Sequence, residues 1–180
     1  AMDTGSATGS GPFGFFVFSD MHVTSSTSLF ATAVTQMRSI DPAPIAGIGT
    51  GDFTDTATST EWNYNTQIAR NLFDPAATQF GSTPRYLGAP GNHDVIGSSW
   101  YTRWASALPG QSGLGHSGTD GIYFTTTYRN VLFAVMDSNM TSGSATSWSD
   151  AQTTALASAL TRSTAQFKFV FYHKPVYSCS

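Results

Sequence analysis

Short apolar segments, each followed at once by residues that can bind a metal ion, recur along this chain. Three of the apolar segments, 15–18, 44–48 and 86–89, are short enough to be buried strands. Open α/β sheets carry their chemistry at the carboxyl ends of strands, so the pattern predicts an α/β fold with one shared site. The polar clusters are Asp20-Met21-His22, Gly51-Asp52-Phe53-Thr54-Asp55, Gly91-Asn92-His93-Asp94 and, further along, Tyr172-His173-Lys174-Pro175.

Helical and strand patterns fill the rest of the chain. The stretch 96–120 is irregular, and we expect its His116 to be a loop residue rather than a ligand. Ser28 is a candidate helix N-cap. The remaining predicted elements are helices at 28–40, 59–73 and 149–165, a hairpin made of 122–126 and 131–136, and a last strand at 167–172.

The length of 180 residues predicts one domain, at 13–180, after a small polar tail at 1–12 that we leave out of the fold. The charged fraction is only 11%, and hydroxyl residues supply much of the polarity, which favours a secreted, extracellular protein. The net charge of -3 and the scattered basic residues argue against a nucleic-acid partner. No stretch approaches the roughly 20 apolar residues of a membrane span, so no membrane partner is expected.

The single cysteine, Cys179, lies next to the last position of the sequence. In a secreted protein an unpaired cysteine indicates a disulfide partner, which here would lie beyond residue 180. The alternative is that Cys179 is a small buried apolar residue.

The polar clusters together predict a site for two metal ions. Carboxylate, amide and imidazole ligands suit divalent or trivalent iron, manganese or zinc. Two cations about 3.5–4 Å apart need an anion between them, and a solvent molecule held there loses its proton near neutral pH and becomes a nucleophile. The predicted ligands are Asp20 and His22 for one ion, Asn92 and His173 for the other, and Asp52 as the bridge to both.

Three further residues of these clusters are predicted to assist catalysis. His93 follows the ligand Asn92 and would grip a phosphate oxygen or protonate the leaving oxygen, with Asp94 orienting its other ring nitrogen. Of these two roles we favour the grip. Asp55 is expected to orient the Asp52 loop through hydrogen bonds rather than to bind metal.

These motifs resemble those of the calcineurin-like metallophosphoesterase superfamily, and the later parts of the chain resemble its acid-phosphatase branch. The resemblance covers about 13–180 and includes 100–108, the hairpin ending at Ser138, the helix at 148–160 and the segment 173–178. It implies a four-layer α/β/β/α sandwich with the dinuclear site at one edge. It also implies hydrolysis of phosphate monoesters or diesters with iron, manganese or zinc.

The chain departs from the family pattern in two places. Purple acid phosphatases have a tyrosine ligand where this chain has Asp55, and they lack a histidine equivalent to His22, so no coloured iron-tyrosinate site is expected. The family's final Gly-His-x-His motif does not occur in this sequence. We therefore expect a sandwich that is incomplete at its C-terminus, completed by a further segment of the same protein, in a fragment or in a chain nicked after Cys179.

The function expected from these observations is that of a secreted metal-dependent phosphatase acting on small phosphorylated substrates. A phosphodiesterase with the same dinuclear site is the alternative among enzymes. A non-catalytic domain that keeps the fold is the alternative of another class. Retention of Asp52, Asn92, His93 and Asp94 argues against the non-catalytic alternative, because a decayed site has no physical reason to keep them all.

Overall fold

The structure, a computed structural model, describes residues 11–81, 83–111, 114–118, 121–139 and 148–175. These residues form a mixed α/β arrangement with two small sheets and four α-helices, which confirms the predicted α/β class. Cys179 and most of the predicted tail lie outside the described residues. Among the helices that the structure describes, none is both long and apolar enough to cross a membrane.

The first sheet is parallel and carries the three predicted strands in the order β1-β2-β3. Helix α1 lies between β1 and β2 in the chain, and α2 lies between β2 and β3. A capping box between Thr58 and Glu61 starts α2, because each side chain accepts a hydrogen bond from the other residue's backbone N–H. The elements are β1 (Gly14–Phe18), α1 (Leu29–Met37), β2 (Pro44–Gly49), α2 (Ser59–Ala69) and β3 (Arg85–Gly88).

Both predicted helices in this half are shorter than expected at their C-terminal ends. After α1, the N–H of Ile40 bonds to the carbonyl of Met37, and after α2 the N–H of Leu72 bonds to the carbonyl of Ala69. Hydrogen bonds from an N–H to the carbonyl three residues earlier tighten the last turn and end the α-helix. At the other end of α1, Ser28 is the N-cap residue, but its side chain makes no capping hydrogen bond.

The second sheet has the order β4-β5-β6-β7. The predicted hairpin is confirmed as the antiparallel pair β5 and β6, and the last strand, β7, runs parallel to β6. Strand β4 was not predicted: His116 pairs with Tyr123 in the sheet, so its assignment to a loop was wrong. The elements are α3 (Trp100–Ala107), β4 (Gly115–Gly118), β5 (Gly121–Tyr128), β6 (Val131–Val135), α4 (Asp150–Arg162) and β7 (Phe167–Phe171).

Aromatic side chains of β1 contact the second sheet on one face and helix α1 on the other. Phe15 makes edge contacts with Phe133 and Phe171 of the second sheet, at centroid distances of 5.1 and 6.3 Å. Phe18 instead meets Phe30 of α1 at 5.2 Å. Alternate residues of a strand face opposite ways, so Phe15 is oriented toward the second sheet and Phe18 toward α1.

Candidate metal centre

The loops that follow β1 and β2 run side by side, and their backbones stay paired past the ends of the strands. The N–H groups of Asp20 and His22 donate to the carbonyls of Gly51 and Asp52, both at 3.0 Å. Asp20, His22 and Asp52 have positive φ angles of 52°, 39° and 52°, a left-handed conformation that costs a residue other than glycine about 1 kcal/mol or more. The pairing holds three predicted ligands in an unfavourable conformation, which is typical of a functional site.

The Asp52 carboxylate is the centre of the site. It is 4% exposed, and its Oδ1 accepts a hydrogen bond from the backbone N–H of His93 at 2.9 Å. Its Oδ2 lies 3.5 Å from His22 Nε2 and 3.4 Å from His173 Nε2. The residue predicted to bridge two metal ions therefore has one carboxylate oxygen within 3.5 Å of two imidazole nitrogens.

The ring of His173 is fixed by a backbone contact on its far side. Its Nδ1 lies 3.0 Å from the carbonyl oxygen of Thr50, and because a carbonyl only accepts, Nδ1 carries the proton. In the neutral ring the lone pair of Nε2 then points at Asn92 Oδ1, 3.0 Å away, and at Asp52 Oδ2. Three electron-rich atoms that face one another are stabilised by a cation placed between them.

His22 is oriented in the same way by a carboxylate. Its Nδ1 lies 3.0 Å from Asp55 Oδ1, so the ring donates to Asp55 and turns Nε2 toward Asp52. A carboxylate behind an imidazole ligand fixes its tautomer and raises its basicity, as in many metal sites. Asp55 was expected to orient the loop around Asp52, and in the structure its side chain contacts His22 and, at 3.8 Å from its Oδ1, Nδ1 of His93.

The predicted ligands converge from four loops at the carboxyl ends of β1, β2, β3 and β7. Ligand atoms of Asp20, Asp52 and His173 all lie within 4.8 Å of one another, and so do those of His22, Asp55 and His93. The oxygen and nitrogen donors suit iron, manganese or zinc. The structure thus brings the five predicted metal ligands close to one another: Asp20, His22, Asp52, Asn92 and His173. It groups Asp20 with His173, which was predicted to hold the other ion, and it groups His22 with Asp55 and His93.

Two glycines make this close approach possible. A Cβ atom on Gly51 would overlap the ring of His173, and Gly51 has a φ of 111° that other residues rarely adopt. A Cβ on Gly91 would overlap both the carboxylate and the backbone nitrogen of Asp52. The donor set and these glycine contacts fit a compact site for metal ions.

His93 lies at the rim of the centre. Its Nδ1 is 2.5 Å from the carbonyl oxygen of Asp55, and its ring meets His22 edge-on at a centroid distance of 4.5 Å. The hydrogen bond to Asp55 is the main cause that raises the pKa of His93 above its ordinary value, with smaller contributions from nearby carboxylates. Because a carbonyl only accepts, Nδ1 carries the proton in that hydrogen bond, and Nε2 is the nitrogen left for a bound molecule.

Asp94 does not orient His93, which corrects the sequence-based prediction. Its Oδ1 accepts from the N–H and the hydroxyl of Thr54, both at 3.1 Å, and its Oδ2 accepts from the N–H of Gly91 at 2.8 Å. Burial raises the pKa of Asp94 to about 7, and the hydrogen bonds from Gly91 and Thr54 oppose this shift. Asp94 is 0% exposed and joins the loop after β3 to the loop after β2. The ring nitrogen of His93 that Asp94 was predicted to orient is instead bonded to the carbonyl of Asp55.

The loop after β6 supplies two positioning residues that the sequence analysis did not assign. The Ser138 hydroxyl accepts a hydrogen bond from the N–H of Lys174 at 2.9 Å, next to His173. The Asn139 side-chain amide donates to the carbonyl of Pro90 at 2.8 Å, two residues before Asn92. Like the ligand clusters, this polar pair closely follows an apolar strand, and that pattern could have identified it.

Replacing Ser138 by alanine is expected to weaken metal binding in the half of the site formed by Asn92 and His173, by about tenfold. The lost hydrogen bond frees the backbone at Lys174, and thereby the position of His173. Titration of the protein with metal, followed by calorimetry, should give one weakened site and one unchanged site. The matched control is Ser163→Ala, which removes a hydroxyl that accepts from the N–H of Ala165 away from the site. Equal loss at both sites would contradict the assigned role.

Comparisons with known proteins do not identify this chain: no family model matches the sequence, and no curated protein matches it.

Proposed function

We propose that this protein is a dinuclear, metal-dependent phosphoric ester hydrolase of the calcineurin-like metallophosphoesterase type, acting on small phosphomonoesters. The observation that carries the proposal is the position of Asp52 Oδ2, 3.5 Å from His22 Nε2 and 3.4 Å from His173 Nε2. His22 follows β1 and His173 follows β7, so the buried Asp52 carboxylate is within reach of ligands from two different loops. Two cations about 3.5–4 Å apart need an anion that serves both, and Asp52 is placed to do so.

The packing of the elements supports a four-layer α/β/β/α sandwich as the proposed architecture. Phe15 of the first sheet contacts Phe133 and Phe169 of the second. Helix α1 lies against the first sheet through Phe18, and Leu160 of α4 accepts a hydrogen bond from Lys168 of β7. In this arrangement the ligand loops of both sheets meet at one edge.

In the proposed site Asp20 and His22 would hold one ion, Asn92 and His173 would hold the other, and Asp52 would serve both. Two bound cations would neutralise phosphate oxygens and lower the pKa of water, so that a nucleophile is available near neutral pH. Iron, manganese and zinc all fit the donors. The protein residues hold this constellation through Asp55 behind His22 and the Thr50 carbonyl behind His173.

His93 is proposed to grip a phosphate oxygen of the substrate. Its Nδ1–H donates to the Asp55 carbonyl and leaves Nε2 for the substrate, and in the protonated ring Nε2–H is a donor. The same hydrogen bond raises the pKa of His93, which is the direction that this role needs. A charge-assisted hydrogen bond to a phosphate oxygen is worth about 1.5–3 kcal/mol. That energy is sufficient to orient the ester for attack.

Replacing His93 by asparagine is expected to lower kcat/KM by about 10- to 100-fold with the metal content unchanged. A hydrogen bond to a phosphate oxygen acts on the phosphoryl group and not on the leaving group. The value of kcat/KM should therefore fall by the same factor for esters with good and with poor leaving groups. The comparison is made with an aryl phosphate and an alkyl phosphate. A loss confined to the alkyl phosphate would instead identify His93 as the general acid.

The proposed activity is tested with model monoesters and diesters, before and after treatment with a chelator. We expect monoester cleavage that the chelator abolishes and that added zinc, manganese or iron restores. Faster cleavage of the diester would identify a phosphodiesterase with the same site. Tight binding of metal without cleavage of either ester would identify a non-catalytic domain, and cleavage that survives the chelator would overturn the metal-dependent mechanism.

A further inference from the structure

A polar groove lies between α2 and α3, apart from the residues assigned to the metal centre. Its volume is about 370 Å³, which lies at the lower end of the range for small-molecule sites. One wall is a face of α2, where Asn63, Thr66 and Arg70 recur at helical spacing. The other wall is a face of α3 with Thr102, Arg103 and Ser106. The two helices are held together at the back of the groove by Trp62 and Trp104, whose rings meet edge-on at 5.3 Å.

The charges in the groove have one sign. Two arginines, Arg70 and Arg103, line it, and no aspartate or glutamate is among the described residues that do so. Glu61 lies on the same helix, but its carboxylate is used at the helix start, where it accepts hydrogen bonds from Thr56 and Thr58. The protein as a whole carries a net charge of -3, so this groove is a local cationic feature on an acidic chain.

The head group of Arg103 is held in one place before any ligand binds. Its Nη1 donates to the hydroxyl of Ser99 at 2.6 Å, and its Nη2 donates to the carbonyl of Ile96 at 2.7 Å. A guanidinium has five N–H groups, so N–H donors remain after these two bonds. Fixing an arginine in advance lowers the entropy lost when it binds an anion.

We propose that this groove binds the tetrahedral oxyanion, a phosphate or sulfate group, of a small hydroxyl-bearing molecule. Arg70 and Arg103 hold the anion, because guanidinium groups match the geometry and charge of such oxygens. The hydroxyls of Thr102 and Ser106 and the amide of Asn63 supply hydrogen bonds for the rest of the ligand. The site does not depend on the metal centre, and it is an addition to the proposed hydrolytic function.

The experiment is a titration of the zinc-loaded, isotope-labelled full chain with inorganic sulfate, and separately with inorganic phosphate, followed by NMR of backbone amides. Amides of Arg70, Thr102 and Ser106 report on the groove, and those of Asn92 and His93 report on the metal centre. The expected result is saturable shifts at the groove amides with a Kd on the order of 1 mM, the strength of two charge-assisted hydrogen bonds. Absence of anion binding in the groove and absence of anion binding at the metal centre are thus detected by different amide signals.

Variants test whether Arg70 and Arg103 are responsible for anion binding in the groove. Arg70→Gln and Arg103→Gln are each expected to weaken the groove response about tenfold or more and to leave the response at Asn92 and His93 unchanged. The matched control is Arg38→Gln, because Arg38 is the C-cap residue of α1 as Arg70 is of α2, and it does not line the groove. Whichever of the two anions binds more tightly identifies the preferred group. Absence of groove shifts with both anions, or unchanged shifts in both variants, would overturn the proposal.

Discussion

Replacing Asp52 by asparagine is expected to lower phosphate-ester hydrolysis by about 1,000-fold or more, a loss of about 4 kcal/mol in transition-state stabilisation. Asparagine has the same shape and can still accept the hydrogen bond from the His93 N–H, so the loops should stay in place. It removes the negative charge that lies between His22 Nε2 and His173 Nε2. Without that charge, two cations held close together repel each other, and at least one should be lost.

The matched control for this substitution is Asp74→Asn. Asp74 also accepts a backbone hydrogen bond, from Ala76 at 2.9 Å, but it lies after α2 and outside the metal-binding groups. It should keep full activity and full metal content. Loss of less than about tenfold in Asp52→Asn, with both ions retained, would show that Asp52 does not bridge them.

Replacing Gly91 by alanine should disable the site by a purely steric route. The new Cβ would overlap the Asp52 carboxylate and its backbone nitrogen, so the loop after β3 must move away from the loop after β2. Overpacking of this kind costs about 1–3 kcal/mol of folding stability. For a domain of this size each kcal/mol lowers the Tm by about 2–4 °C, and we expect metal affinity to fall at the same time.

Gly81→Ala is the control for the glycine substitution, because a Cβ at Gly81 meets no atom within 4 Å. Thermal unfolding and metal titration of both variants, side by side, measure the effect. Gly81→Ala should resemble the unchanged protein in both measurements. A Gly91→Ala protein with normal Tm and normal metal affinity would mean that the two loops are not in the close contact described here.

The strands around the site, and the convergence of the proposed ligands, could be predicted because the signals are local. Each apolar segment of the first sheet is followed directly by its polar residues, and parallel strands bring those residues to one edge. The cluster at His173 is far from the others in sequence, yet it also follows an apolar strand, and its ring lies against Asn92. That strand was expected to be buried, but its first three residues are exposed and only Phe171 is buried. Grouping by position after a strand was therefore sufficient to predict that these five residues lie close together.

The hydrogen bonds that hold the site together could not be predicted, because they depend on which way each side chain points. Asp94 is next to His93 in the sequence, but it turns inward to Thr54 while the His93 ring bonds to the Asp55 carbonyl. Asn139 reaches Pro90 across 49 residues, a contact without a local pattern. Strand β4 has no alternation of apolar and polar residues that could have indicated it. It is recognised only by its backbone pairing with β5.

The most direct test of a dinuclear centre is anomalous X-ray scattering from crystals of the protein grown with manganese. Two peaks about 3.5–4 Å apart are expected, both next to Asp52 Oδ2. Asp20 and His22 should contact one peak, and Asn92 and His173 should contact the other. A single peak, or two peaks that do not share the Asp52 carboxylate, would contradict the bridged site and the proposed function that depends on it.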